Sequence, residues 1–131
     1  MAVLFICTGN ICRSPMAEAF ARALGIEAAS AGTWAVQGGP ATGPAIAAMA
    51  EIGIDLTDHR ARPLDDVINE PWDAVFGMTR EHVDAVVRAG AEADLLHPLG
   101  VPIEDPYGLS IEVYRRVRDE ISAAVDERLR T

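Results

Sequence analysis

Apolar and polar positions along the chain fall into blocks that switch between a strand-like and a helix-like period. Val3 to Ile6 is a short unbroken apolar run, the pattern of a strand buried on both faces as in a parallel sheet. That strand is expected to end at Cys7. Ser14 then offers a capping hydroxyl, Pro15 suits the first helical position, and Met16, Ala19, Phe20, Ala23 and Leu24 recur at helical spacing until Gly25. Ile26 to Ser30 reads as a second strand, and Pro44, Ile46, Met49, Ala50 and Ile52 mark a second helix stopped by Gly53. Trp72 to Met78 predicts a third strand. Thr79 can cap the helix after it, with Val83, Val86 and Val87 as its apolar face and Gly90 at its end. Ala93 to Leu96 is a weaker fourth strand, and beyond a Pro-rich loop Ser110 precedes a last helix striped by Tyr114, Val117, Ile121, Val125 and Leu129.

Strands that alternate with helices call for right-handed crossovers, so the expected fold class is α/β: a four-stranded parallel sheet, doubly wound, with helices on both faces. A length of 131 residues suits one domain, spanning 1–131. In such folds ligands bind beyond the carboxyl ends of the strands, where the first strand turns into its helix. Here that place is the segment from Cys7 to Ser14.

Composition removes several classes of function. The chain has 20 acidic and 11 basic residues, a net charge of −9, and every basic residue is Arg. No nucleic acid partner is expected, because binding a polyanion needs clustered positive charge. Chemistry that requires a lysine is excluded. The run from Ala2 to Ile6 is too short for a signal-peptide core, and no apolar run reaches membrane-spanning length. A cytoplasmic location without membrane attachment is therefore expected. The only cysteines, Cys7 and Cys12, are separated by four residues with no further ligand nearby. That spacing argues against a disulfide framework and against a zinc site.

The loop Cys7-Thr8-Gly9-Asn10-Ile11-Cys12-Arg13-Ser14 carries the candidate chemistry. A helix start exposes unpaired N–H groups and the positive end of the helix dipole, which favours an anion. If the loop curls, its successive amides form a nest for phosphate oxygens. Gly9 permits unusual backbone angles and Asn10 tolerates a left-handed one. The dipole and the Arg13 guanidinium favour the thiolate form of Cys7, the nucleophilic form of a cysteine. Arg13 can place two parallel N–H bonds on two phosphoryl oxygens, which lysine cannot do. Ser14 could donate to the Cys7 sulfur as well as cap the helix. Taken singly these residues suit core thiols and a surface charge; together at a strand-to-helix junction they point to phosphoryl transfer.

Cys7 to Pro15 resembles the signature of the low-molecular-weight protein tyrosine phosphatases: Cys, five residues, Arg, Ser. The segments Ser30-Ala31-Gly32-Thr33, His59-Arg60-Ala61-Arg62, Met78-Thr79-Arg80-Glu81-His82 and Asp105-Pro106-Tyr107 follow in the family's order. The resemblance implies a phosphatase working through a phosphocysteine on Cys7. It makes Arg13 the phosphoryl clamp, with Thr8, Gly9, Asn10, Ile11, Cys12 and Ser14 completing the phosphate-binding loop. It also makes Asp105 the general acid, which protonates the leaving phenoxide or amine and then takes a proton from water. Asn10 would be braced by Ser30 and His59, with Ser14 as a further support. Ile11, Trp34 and Tyr107 are candidate walls of a dry substrate crevice. His82 and His97 receive no role and are expected at the surface. Cys12 either forms a reversible disulfide with Cys7 or is a packed small residue. No metal or cofactor is required, because Arg13 and the loop amides supply the positive field. Phosphorylated proteins are the expected partners of a monomer or weak dimer.

Phosphotyrosine is the expected substrate, with phosphoarginine as the alternative. The segment Asp105 to Ser110 resembles bacterial members that act on phosphoarginine, since Gly108 stands where many tyrosine-specific members carry a second tyrosine. Ile11 points the other way, offering methyl groups rather than a hydroxyl. Arsenate reductase shares this loop but relays oxidation through further cysteines, and none lies beyond Cys12. A phosphoprotein-binding module would lack a reactant, whereas Cys7, Arg13 and Asp105 are all present.

Overall fold

The computed structural model describes residues 1–130; Thr131, the last residue of the expected domain, lies outside them. Four strands and four helices alternate: β1 (Ala2–Cys7), α1 (Arg13–Ala23), β2 (Glu27–Gly32), α2 (Gly43–Ala50), β3 (Ala74–Gly77), α3 (Arg80–Arg88), β4 (Asp94–Leu95) and α4 (Ile111–Leu129). A single 3-10 turn occupies Leu64–Asp66. The sheet is wholly parallel in the order β2-β1-β3-β4. The strand order thus runs outward in both directions from β1, so the chain crosses one face and then the other.

Val3 to Cys7 are all buried, and the period of two along a strand divides them between two cores. Val3, Phe5 and Cys7 face the core that includes Met16 and Ala17 of α1, Met49 of α2 and Val117, Ile121 and Val125 of α4. Leu4 and Ile6 face the other, with Leu64, Val67, Val75 and Val86. Phe5 and Phe76 stack across adjacent strands with ring centres 6.0 Å apart. Burial on both faces is what made this strand an unbroken apolar run instead of an alternating one. The five stripe residues of α4 are all buried as their spacing predicts.

Several details depart from the sequence expectation, among them that Pro15 is the third helical residue, not the first, and that α2 ends at Ala50, short of Ile52. Helix α1 begins at Arg13 with Cys12 at the N-cap, so Ser14 is not the cap. Strand β3 is four residues long, excluding both Met78 and Trp72, whose indole N–H donates to the Val67 carbonyl at 2.8 Å. On α3, Val83 and Val86 are buried but Val87 is exposed, since it lies one residue past the face turned toward the sheet.

Candidate active site

The site is the junction between β1 and α1, at the carboxyl edge of the sheet. Asn10 makes the curl possible. Its φ of 56° is left-handed, the one such value at a non-glycine residue among the described residues, and its side chain is fully buried. Nδ2 donates to Ser14 Oγ and to Ser30 Oγ, each at 2.8 Å, while Oδ1 accepts from the Arg62 backbone N–H at 3.0 Å. Nε2 of His59 donates to the Asn10 carbonyl at 2.6 Å. Burial lowers the His59 pKa, and the bond to that carbonyl opposes the shift. Ser30 in turn donates to Glu18 Oε1 at 2.6 Å, and Glu18 is paired with Arg22.

The loop also lies tightly on β2. Thr33 N–H donates to the Cys7 carbonyl and Trp34 N–H to the Thr8 carbonyl. At Gly32 a Cβ would stand 2.4 Å from the Thr8 carbonyl oxygen and 3.0 Å from the Asn10 nitrogen. Only glycine lets the loop approach this closely. Among the described residues, the backbone N–H groups from Gly9 to Ser14 have no intramolecular acceptor. They form the amide set a tetrahedral anion needs.

Proton positions follow from the donors. The two hydrogens on Asn10 Nδ2 go to Ser14 and Ser30, so Ser14 Oγ accepts there and has its own hydrogen left. The neighbour left to receive it is Cys7 Sγ, at 2.9 Å. A hydroxyl hydrogen aimed at a sulfur atom stabilises negative charge there.

Arg13 is 3% exposed. One end of its guanidinium is fixed, Nη1 donating to the Ile103 carbonyl at 2.9 Å. Nη2 lies 3.6 Å from Asp105 Oδ2, and Nε is buried without a partner among the described residues. A buried unpartnered guanidinium nitrogen costs stability unless an acceptor arrives, so this edge of Arg13 is shaped for an anion.

Cys7, Thr8, Gly9, Ile11, Cys12, Arg13, Asp105 and Tyr107 line one cavity of about 190 Å³. Thus the expected nucleophile, clamp, acid and two crevice walls meet, while Asn10, Ser14, Ser30 and His59 lie behind the loop. Trp34 does not line this cavity. Its side chain is 84% exposed over a separate depression with Pro63, Leu64 and Arg88, because its backbone is pinned under the loop. A wider depression of about 470 Å³, lined by residues including Glu18, Arg22, His59 and Arg62, contains no thiol.

His82, expected at the surface, is instead 2% exposed. Nδ1 accepts from the Thr79 N–H at 3.1 Å and Nε2 lies 2.9 Å from Thr8 Oγ1. Burial first, and the Arg13 cation second, push its pKa down to about 4. His97 is partly buried and accepts from the Leu99 N–H. Cys12 packs between Thr42 and Tyr114, and burial raises its pKa despite hydrogen bonds to both. Glu18, Arg62, Ile103 and His82 are the members of the site that the sequence reading missed. Arg62 and His82 each lie in a segment that resembles the family, and His82 also stands three residues after Thr79, where a capping box usually has Glu or Gln.

The family model described as low molecular weight phosphotyrosine protein phosphatase matches residues 2–131. The chain belongs to this family. Among its relatives, this phosphatase is 36% identical over 135 residues to a protein-arginine-phosphatase of Bacillus subtilis, covering 92% of this chain and 89% of the relative. It is 30% identical to a glutaredoxin arsenate reductase of Synechocystis, covering 95% of this chain and 92% of that one. The crystal structure of a low molecular weight protein tyrosine phosphatase from T. tengcongensis superposes with a TM-score of 0.87 at 38% identity, covering 98% and 97% of the two chains. No helix among the described residues of this phosphatase is long and apolar enough to cross a membrane.

Proposed function

We propose that this phosphatase hydrolyses phosphotyrosine in proteins by double displacement at Cys7. The Cys7 thiolate attacks phosphorus, the bond to the tyrosine oxygen breaks, and Asp105 supplies the proton that the departing phenoxide takes up. Water then attacks the phosphocysteine, Asp105 recovers a proton from it, and the sulfur leaves as a thiolate held by Ser14. Arg13 and the loop amides hold the three non-bridging oxygens through both steps.

The observation that carries this reading is the buried Nε of Arg13, unpartnered among the described residues, on a side chain that lines the same cavity as Cys7. A core arginine would have its nitrogens satisfied, and a surface one would be hydrated. Ile11 and the Tyr107 ring supply apolar surface at the mouth, suited to a phenyl group. The enzyme is proposed to act in the cytoplasm, as a monomer or weak dimer, on phosphorylated proteins.

Phosphoarginine is the second reading, favoured by Gly108. Its φ of 78° would strain a second tyrosine placed after Tyr107, and the relative in Bacillus subtilis is named for that activity. Turnover of matched phosphotyrosine and phosphoarginine peptides, each with wild type and Cys7→Ser, tests both. The proposal expects faster hydrolysis of phosphotyrosine and none by Cys7→Ser. A preference for phosphoarginine would transfer the assignment, and equal hydrolysis by both proteins would end the mechanism.

A further inference from the structure

His82 is buried beside the reacting groups but takes no part in the two displacements. Both of its ring nitrogens are engaged, and the partners decide where its proton sits. The Thr79 backbone N–H, 3.1 Å from Nδ1, can only donate, so Nδ1 carries no hydrogen. Thr79 Oγ1, at 3.2 Å, can donate to the same atom. A neutral imidazole has one N–H, which is therefore on Nε2. That N–H points to Thr8 Oγ1 at 2.9 Å, and the hydroxyl oxygen accepts it. The Thr8 hydroxyl hydrogen is thereby turned away from His82.

Thr8 is exposed, and its position gives that hydrogen a use. The catalytic cavity adjoins a groove that His82 helps to line, and the residues common to both are Thr8, Arg13 and Asp105. Arg13 addresses the phosphoryl oxygens and Asp105 the proton transfer. Resting on the phosphatase reading above, we infer that Thr8 is a third substrate-contacting group. Its hydroxyl, aimed by the Nε2–H tautomer of His82, donates a hydrogen bond to the departing atom of the substrate, and His82 is its positioning residue. Negative charge accumulates on that atom as its bond to phosphorus breaks, so a fixed donor there stabilises the transition state more than the bound substrate. Thr8 transfers no proton; Asp105 still supplies it.

A donor of this kind matters most for a poor leaving group, whereas a loop distortion would slow all substrates alike. The test compares kcat/KM for phenyl phosphate and para-nitrophenyl phosphate in wild type, Thr8→Val, Thr8→Ser, His82→Ala and His82→Gln. Loss of the donor in Thr8→Val is expected to slow phenyl phosphate by about 10- to 100-fold and para-nitrophenyl phosphate by less than about 3-fold. Thr8→Ser, which retains a hydroxyl, keeps the wild-type ratio of the two rates. His82→Gln, whose carboxamide has one acceptor and a donor, keeps the wild-type ratio, and His82→Ala shifts it toward that of Thr8→Val. Equal losses on the two esters in Thr8→Val, or none, would overturn the inference. Failure of wild type on both esters would instead overturn the phosphatase reading on which it rests. Independently, imidazole ¹⁵N shifts at neutral pH should report His82 protonated on Nε2, and protonation on Nδ1 would overturn the assignment.

Discussion

Replacing Asn10 by alanine should damage stability and chemistry together, because one side chain holds both. The change removes three hydrogen bonds, to Ser14, Ser30 and the Arg62 N–H. The serines keep Cys7 and Glu18 as partners, so each of those losses is the net value of a bond, about 0.5–1.5 kcal/mol. The Arg62 N–H is left without its acceptor, a cost of about 1–3 kcal/mol. Alanine at a φ of 56° adds roughly 1 kcal/mol. The total is about 3–7 kcal/mol, a large share of the stability of a domain this size. Asn10→Gly loses the same bonds without the backbone strain and should be about 1 kcal/mol more stable than Asn10→Ala. Urea unfolding at neutral pH measures both. In the surviving folded protein Ser14 is free to turn its hydrogen from Cys7, so kcat/KM should fall by at least about tenfold. An alanine variant within 1 kcal/mol of wild type, or more stable than the glycine variant, would refute the account of the loop.

Arg13→Lys should keep the charge but lose the planar fork and the anchor on Ile103, lowering kcat/KM by about 10²–10³-fold; steady-state kinetics near wild type would contradict this. The neutral His82 sets a pH dependence of stability. Its folded pKa of about 4 lies below the ordinary histidine value of 6.5, so on acidification the unfolded chain takes up the proton first. Stability should therefore fall between pH 6.5 and pH 4, by up to about 3 kcal/mol. Urea midpoints for wild type should show this slope and those for His82→Gln should lack that share of it, while identical slopes would remove His82 as the cause. Because burial raises the pKa of Cys12, brief iodoacetamide treatment of the native protein at pH 7.5 should modify Cys7 before Cys12. Peptide mass spectrometry reads the order, and first labelling at Cys12 would contradict it.

The junction from Cys7 to Arg13 could be read from the chain because its members are adjacent: a cysteine ending an apolar strand and an arginine beginning a helix define it locally. The sheet followed from the same blocks, since burial of β1 on both faces leaves an apolar run. Other features depend on groups distant in sequence. Ser14 looked like a helix cap because a hydroxyl before Pro15 usually is one, yet Asn10 and Cys7 claim it. Glu18 and Arg62 reach the loop through Ser30 and Asn10, contacts that no local pattern announces. His82 looked like a surface residue because it falls in the polar first turn of a short helix; packing of α3 against the sheet turns that position toward Thr8. Trp34 looked like a crevice wall because its ring offers an aromatic surface, but the hydrogen bond of its own N–H to the Thr8 carbonyl fixes the backbone and leaves the indole outside.

Double displacement requires a covalent bond between phosphorus and the Cys7 sulfur during turnover. Acid quenching within milliseconds of mixing with para-nitrophenyl phosphate, followed by peptide mass spectrometry, would trap it. One phosphoryl group on Cys7, absent in Cys7→Ser, is the expected result; rapid hydrolysis with no phosphocysteine at that position would contradict the account.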